Sequence, residues 1–141
     1  MSKVLGLDLG IKTLGIAMSD SLRIAAHGYE NFVFENKNYK KAREHVIEIC
    51  QKENISEIAL GYPLHMSGIE GERCESVNRF KSDIEKENPN LKITLIDERM
   101  TTIIANNRLL EADLSRNKRK KVIDEMSAVV ILESYLAKGG K

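Results

Sequence analysis

The chain has 141 residues, 22 of them basic and 21 acidic, for a formal net charge of +1. That length suits one domain burying roughly two-thirds of the surface its unfolded form exposes, and so even a balance neither demands nor excludes a nucleic acid, so the placement of charge decides. Two cysteines, Cys50 and Cys74, with no CxxC pair and no histidine at ligand spacing, argue against a zinc site and a disulfide framework; both read as plain thiols.

The start of the chain reads directly into a strand with no basic-then-apolar leader, and no apolar run approaches a membrane span, so the expectation is a soluble, cytoplasmic protein. Lys3 to Leu9 and Leu14 to Ser19 read as strands joined by Gly10-Ile11-Lys12-Thr13, short enough for an antiparallel hairpin, and Tyr29 to Phe34 reads as a third strand. From Tyr39 to Glu53, Ala42, Val46, Ile49 and Cys50 mark one helical face. Ile58-Ala59-Leu60, flanked by Gly61 and Pro63, is a short buried strand, followed by a loop to about Gly71. A charged helix fits Glu72 to Glu87, stopped by Asn88-Pro89, before a strand from Leu91 to Ile96. After Asp97-Glu98-Arg99 a helix starts near Thr101 or Thr102, either of which can cap it, and ends near Asp113. The basic run Arg116 to Lys121 then leads into a last, mostly apolar helix from Val122 to about Lys138. The pattern predicts one α/β domain, a mixed sheet with helices on its faces.

Carboxylates interrupt or end these apolar elements. Asp8 lies inside Val4-Leu5-Gly6-Leu7-Asp8-Leu9, Asp97 and Glu98 end the last strand, and Asp124 sits in the first turns of the last helix. An ionised carboxylate in a half-buried strand costs several kcal/mol unless it is paired, hydrogen-bonded or bound to metal. Acids from two strands and a helix that converge on one spot would repel one another, and a hard divalent cation, magnesium or manganese, relieves that repulsion. Two such ions about 3.5 to 4 Å apart can activate water and stabilise the leaving oxygen of a phosphodiester, which is nuclease chemistry. The structural readings are a strand-end salt bridge for Asp97 and Arg99 and a charge favourable to a helix N-terminus for Asp124.

Gly6-Leu7-Asp8-Leu9-Gly10-Ile11-Lys12 with Gly15-Ile16-Ala17-Met18-Ser19-Asp20, then Gly61-Tyr62-Pro63-Leu64 with Met66-Ser67-Gly68, then Asp97-Glu98-Arg99-Met100-Thr101-Thr102, then Ile123-Asp124, occur in order across nearly the whole chain. This closely resembles the YqgF (RuvX) family. The resemblance implies one RNase H-like nuclease domain over 1–141, with a five-stranded mixed sheet, its first three strands antiparallel, that is flanked by helices. It also implies an active site at Asp8, Glu98 and Asp124, and work on the 5′ end of the 16S ribosomal RNA precursor or on Holliday junctions. The chain departs from the family's pattern at Thr13, where Arg commonly follows the lysine and offers a phosphate contact, and at His65, where a polar amide is common. His65 reads as a surface loop residue, and His27 and His45 as structural.

Charge argues the substrate side. Arg116, Lys118, Arg119, Lys120 and Lys121 precede Asp124 by a few residues, so a phosphate backbone held there lies close to the metal site and binding weakens as salt rises. Otherwise the run is a solvated linker between helices. Lys12 and Arg99 flank the acids and can position phosphate or balance charge. The expected partners are a ribosomal RNA precursor or branched DNA, with the ribosome as a further candidate, no membrane, and a monomeric or weakly dimeric protein. Three other readings stay open. The Asp8-Leu9-Gly10 turn is similar to the first phosphate loop of actin-like ATPases and sugar kinases, which need two lobes. A dinucleotide site lacks its G-x-G-x-x-G spacing. A non-catalytic nucleic-acid or ribosome-binding module would keep the fold without cleavage.

Overall fold

Alternation along the first strand divides the molecule into two unlike faces. The computed structural model describes residues 2–64, 71–99, 101–112 and 115–139, and of residues 102, 116, 117 and 119–121 the backbone alone. Strand β1 (Val4–Leu9) pairs antiparallel with β2 (Thr13–Ser19), and β2 antiparallel with β3 (Ala26–Val33). On its other side β1 pairs parallel with β4 (Glu57–Tyr62), which pairs parallel with β5 (Lys92–Asp97), giving the order β3-β2-β1-β4-β5. The helices are α1 (Tyr39–Glu53), α2 (Glu72–Glu87), α3 (Thr101–Glu111) and α4 (Arg116–Ala137). The expected five-stranded mixed sheet with three antiparallel leading strands is the one observed.

Leu5, Leu7, Leu9, Leu14, Ile16 and Met18 point to one face and pack with Val46 and Ile49 of α1 and Val77, Phe80 and Ile84 of α2. Side chains alternate across a strand, so the intervening positions of β1 and β2 meet α4. There Val4, Ala17, Ala59 and Ile96 pack on Ala128, Ile131, Leu132 and Tyr135. This second face is built of small residues because the helix lies almost on the backbone. A Cβ at Gly6 would stand 2.7 Å from Leu132 Cβ, and one at Gly15 would stand 2.0 Å from the Asp124 carbonyl oxygen. Asp8, on the same side as Gly6, therefore faces α4 at the carboxyl end of the parallel strands, where ligands of open α/β sheets bind.

Helices α1 and α2 have the expected limits. Strand β3 starts at Ala26, ahead of the expected Tyr29, because ladder pairing of Met18 with His27 draws polar residues into the edge strand. Helix α3 stops at Glu111; its expected end near Asp113 lies outside the described residues, and Thr101 is its first helical residue. The largest correction concerns α4, which begins at Arg116 where Val122 was expected. The Ser115 hydroxyl caps it by accepting from Lys118 N at 3.3 Å, and Lys and Arg are good helix formers, so the basic run is helix and not linker.

Candidate active site

Asp8 and Glu98 meet in a hydrogen bond between their carboxyl groups. Burial, then the charges of Glu98 and Asp124, hold the Asp8 carboxyl well above the usual aspartate range. Glu98 is also raised, by burial first, with the charge of Arg73 and the hydrogen bond from Asp8 opposing the rise. The bond between them raises Asp8 and lowers Glu98. Glu98 Oε2, the atom a Cβ at Gly61 would meet at 2.1 Å, is buried without a hydrogen-bond partner among the described residues. An unsatisfied buried acceptor of this kind is costly and calls for an explanation.

The chain turns sharply to place Glu98. Its N–H donates to Tyr62 O at 3.2 Å and its carbonyl accepts from Thr101 N at 3.0 Å, fixing the turn between β5 and α3. Asp97, one residue earlier, faces out and pairs with Arg99, whose Nη2 and Nε reach Asp97 Oδ2 at 2.7 and 2.9 Å. That pair holds the Asp97 carboxyl below the usual range. The strand-end salt bridge weighed for Asp97 is present, and Glu98 alone turns inward.

Asp124 reaches the cluster from α4. Thr13 Oγ1 donates to its Oδ2 at 2.9 Å, and its charge acts on Asp8. With α4 starting at Arg116, Asp124 stands about two turns into the helix, beyond the first turn where a terminal dipole acts. The structural reading offered for it therefore falls. Among the described residues, no three His, Cys, Asp or Glu side chains are grouped closely enough to hold an ion as they stand. The expected convergence thus reaches direct contact for Asp8 and Glu98 and charge influence for Asp124.

The basic residues are distributed unevenly. Lys12 is exposed in the β1–β2 turn beside Thr13, Lys118 is exposed in the first turn of α4, and Arg99 is engaged by Asp97. Positions 116, 119, 120 and 121 lie in the same opening turns of α4, with their side chains outside the described residues. Sequence reasoning missed Arg73 of α2, whose charge acts on both Asp8 and Glu98 and whose Nη2 donates to Leu9 O at 2.8 Å. It also read Thr13 only as a lost phosphate contact. The signal that could have found Arg73 is a cation in the first turn of a helix, where the dipole disfavours it.

Other candidates stay outside the site. Cys50 and Cys74 are free and buried, and burial pushes the Cys50 thiol up to about 12. His45 bonds Glu30 at 2.7 Å and stacks on Phe32, ring centroids 3.9 Å apart, in the structural role expected of it. His27 is exposed on β3, and His65 lies outside the described residues. A 660 Å³ cleft lined by Phe32, Val33, His45 and Glu48 contains none of the three acids.

A family model described as "RuvX: Holliday junction resolvase" matches residues 2–138. A protein of Clostridium kluyveri named "Putative pre-16S rRNA nuclease" is 45% identical over 134 residues, covering 95% of this chain and 96% of its own. One of Staphylococcus saprophyticus with the same name is 40% identical over 134 residues, covering 95% and 94%. Among solved structures, Thermus thermophilus RuvC in complex with a Holliday junction substrate matches with a TM-score of 0.59 at 14% identity, over 99% of this chain and 97% of that one. That likeness extends to the fold, the RNase H-like architecture of RuvC.

Proposed function

Because this chain belongs to the RuvX family and is a nuclease that hydrolyses phosphodiester bonds, we propose that Asp8, Glu98 and Asp124 are its catalytic carboxylates. We propose further that its substrate is the precursor of 16S ribosomal RNA, trimmed at the 5′ end during ribosome biogenesis. The observation that carries this reading is the Asp8–Glu98 pair: two carboxyls meet in a buried spot, and the buried Oε2 of Glu98 has no hydrogen-bond partner among the described residues. A hard cation would satisfy that oxygen.

The donor set fits a hard divalent ion, magnesium or manganese, because every candidate ligand is a carboxylate oxygen. Asp8 and Glu98 would hold it, with Asp124 as the third carboxylate and two ions when substrate is bound. A bound ion of this kind supplies a more acidic water and neutralises charge on the phosphate. The chain's own residues prepare the site. Asp8 and Glu98 would offer carboxylate oxygens, the unpartnered Oε2 of Glu98 among them, and Thr13 orients the Asp124 carboxylate through its hydroxyl.

Phosphate backbone would be held by Lys12, Arg99 and the first turns of α4, namely Arg116, Lys118, Arg119, Lys120 and Lys121. Positions 120 and 121 precede Asp124 by four and three residues, which on an α-helix is the same face. The same reading places the protein in the cytoplasm with the ribosome as a further partner, as a monomer or weak homodimer. No described helix is long and apolar enough to cross a membrane.

The family's description favours a second reading, resolution of Holliday junctions. Cleavage of a 5′-extended 16S RNA fragment and of a four-way DNA junction, with magnesium or manganese, separates the two when wild type is compared with Asp8→Asn. RNA cleavage lost in the variant supports the precursor reading, and junction cleavage lost in the variant supports the second. Cleavage that survives the substitution overturns the site. Binding without cleavage in both proteins favours a binding module.

A further inference from the structure

The first turn of α2 contains Arg73 between Glu72 and Glu75. The positive end of a helix favours the two glutamates and disfavours the arginine. The reason for an arginine there lies across the gap to β1. Its Nη2 donates to Leu9 O at 2.8 Å, which seats the guanidinium on the residue that follows Asp8. Its charge reaches both Asp8 and Glu98, although Arg73 makes no contact-distance ion pair with either. The residue is exposed, and among the described residues its guanidinium makes no hydrogen bond besides the one to Leu9 O.

A nucleic-acid backbone approaching Asp8, Glu98 and Asp124 meets three groups of its own sign. The arginine fork is planar and matches the geometry of phosphate oxygens better than an ammonium does. Anchored by one nitrogen, the fork has already lost much of the freedom a surface side chain gives up on binding. Resting on the nuclease reading above, we propose that Arg73 is a phosphate-binding residue of this site: seated on the carbonyl of Leu9, the residue after Asp8, it receives an oxygen of the substrate backbone and brings that phosphate to the carboxylates.

Two titrations test the assignment without relying on cleavage. Binding of an RNA hairpin and of a four-way DNA junction is measured in EDTA across a salt series, for wild type, Arg73→Gln, Arg73→Lys and, as a control farther along α2, Arg79→Gln. Arg73→Gln is expected to weaken binding on the order of three- to tenfold and to lower the salt slope by about one. Arg73→Lys keeps the slope, and Arg79→Gln matches wild type. Manganese binding without nucleic acid, followed by calorimetry, tightens a few-fold in Arg73→Gln, since the acids lose a neighbouring positive charge. A merely structural arginine would weaken both titrations together.

An unchanged salt slope in Arg73→Gln, a slope lost equally in Arg73→Lys, or weakened manganese binding in Arg73→Gln overturns the proposal. Wild-type protein that gives the expected titrations yet cleaves neither probe overturns the nuclease reading and leaves Arg73 as a phosphate site. Intact cleavage with Arg73→Gln matching wild type in both titrations overturns the Arg73 assignment alone.

Discussion

Glu98 hydrogen-bonds to Asp8 although a whole strand, β4, lies between the strands that present them. The crossing is possible because β4 has Gly61 where Glu98 passes over it.

Gly61→Ala therefore puts a methyl group 2.1 Å from Glu98 Oε2 and 2.6 Å from Ile131 Cδ1. Overpacking of this sort costs about 1–3 kcal/mol, and here the group that must yield is the carboxylate. We expect a modest fall in Tm and at least a roughly hundredfold loss of cleavage, because small displacements of reacting groups are costly. Paired calorimetry and single-turnover cleavage check it; a variant with lowered Tm and undiminished cleavage would show that Glu98 works from another position.

Asp8→Asn tests the buried carboxyl pair. Asp8 and Glu98 both have folded pKa values raised above their ordinary 3.8 and 4.5, by burial first. A group raised in this way contributes stability that is complete below its unfolded value and is lost as pH rises through its folded value. Metal-free wild type should thus lose Tm as pH climbs from the ordinary carboxylate range toward neutrality. The variant should show a flatter profile, a Tm higher by on the order of a few degrees near pH 7, and cleavage reduced by about a thousandfold or more. Scanning calorimetry in EDTA across that window is decisive, since a wild-type Tm that rises with pH contradicts a pair of carboxyls raised by burial.

Thr13→Val keeps the shape of the side chain and removes the donor that meets Asp124 Oδ2 at 2.9 Å. Loss of that bond costs about 1 kcal/mol. Cleavage should fall roughly tenfold through kcat with little change in KM, the pattern of a misaligned catalytic group. Thr13→Ser should restore most of the loss. Equal kinetics for wild type and Thr13→Val would remove Thr13 from the orientation of Asp124.

Ser115→Ala removes the cap of α4. Such a cap contributes about 1 kcal/mol, felt mostly in the first turn. Amide exchange should quicken over 116–121 while the apolar middle of α4 stays protected. RNA affinity at low salt should drop about two- to fivefold if those turns hold phosphate. Faster exchange with unchanged affinity would detach the basic turns from substrate binding.

Some of this was legible in the sequence. The limits of α1 and α2 followed from apolar residues at helical spacing and from the stop at Asn88-Pro89. Asp8 stood out as a charge inside an apolar run, and Glu98 and Asp124 gained meaning beside it. What stayed hidden depends on contacts between distant segments. Arg73 meets the carbonyl of Leu9, far back in the chain, and Thr13 meets Asp124. The start of α4 was missed because its first turns are basic and show no apolar periodicity, leaving only the Ser115 cap as a marker. Gly6, Gly15 and Gly61 read as breaks in strands, yet each clears a path for a neighbouring helix or carboxylate.

Helix α4 lies at the carboxyl end of the described fold, and it brings Asp124 together with the apolar residues that cover the second face of the sheet. A ribosome delivers those residues after every strand has emerged. Until α4 packs down, the small-residue face stays uncovered and Asp124 is missing from beside Asp8, so the strands alone cannot complete the cluster. On the precursor reading, the site that meets RNA is thus completed by the same helix that seals the second face of the sheet.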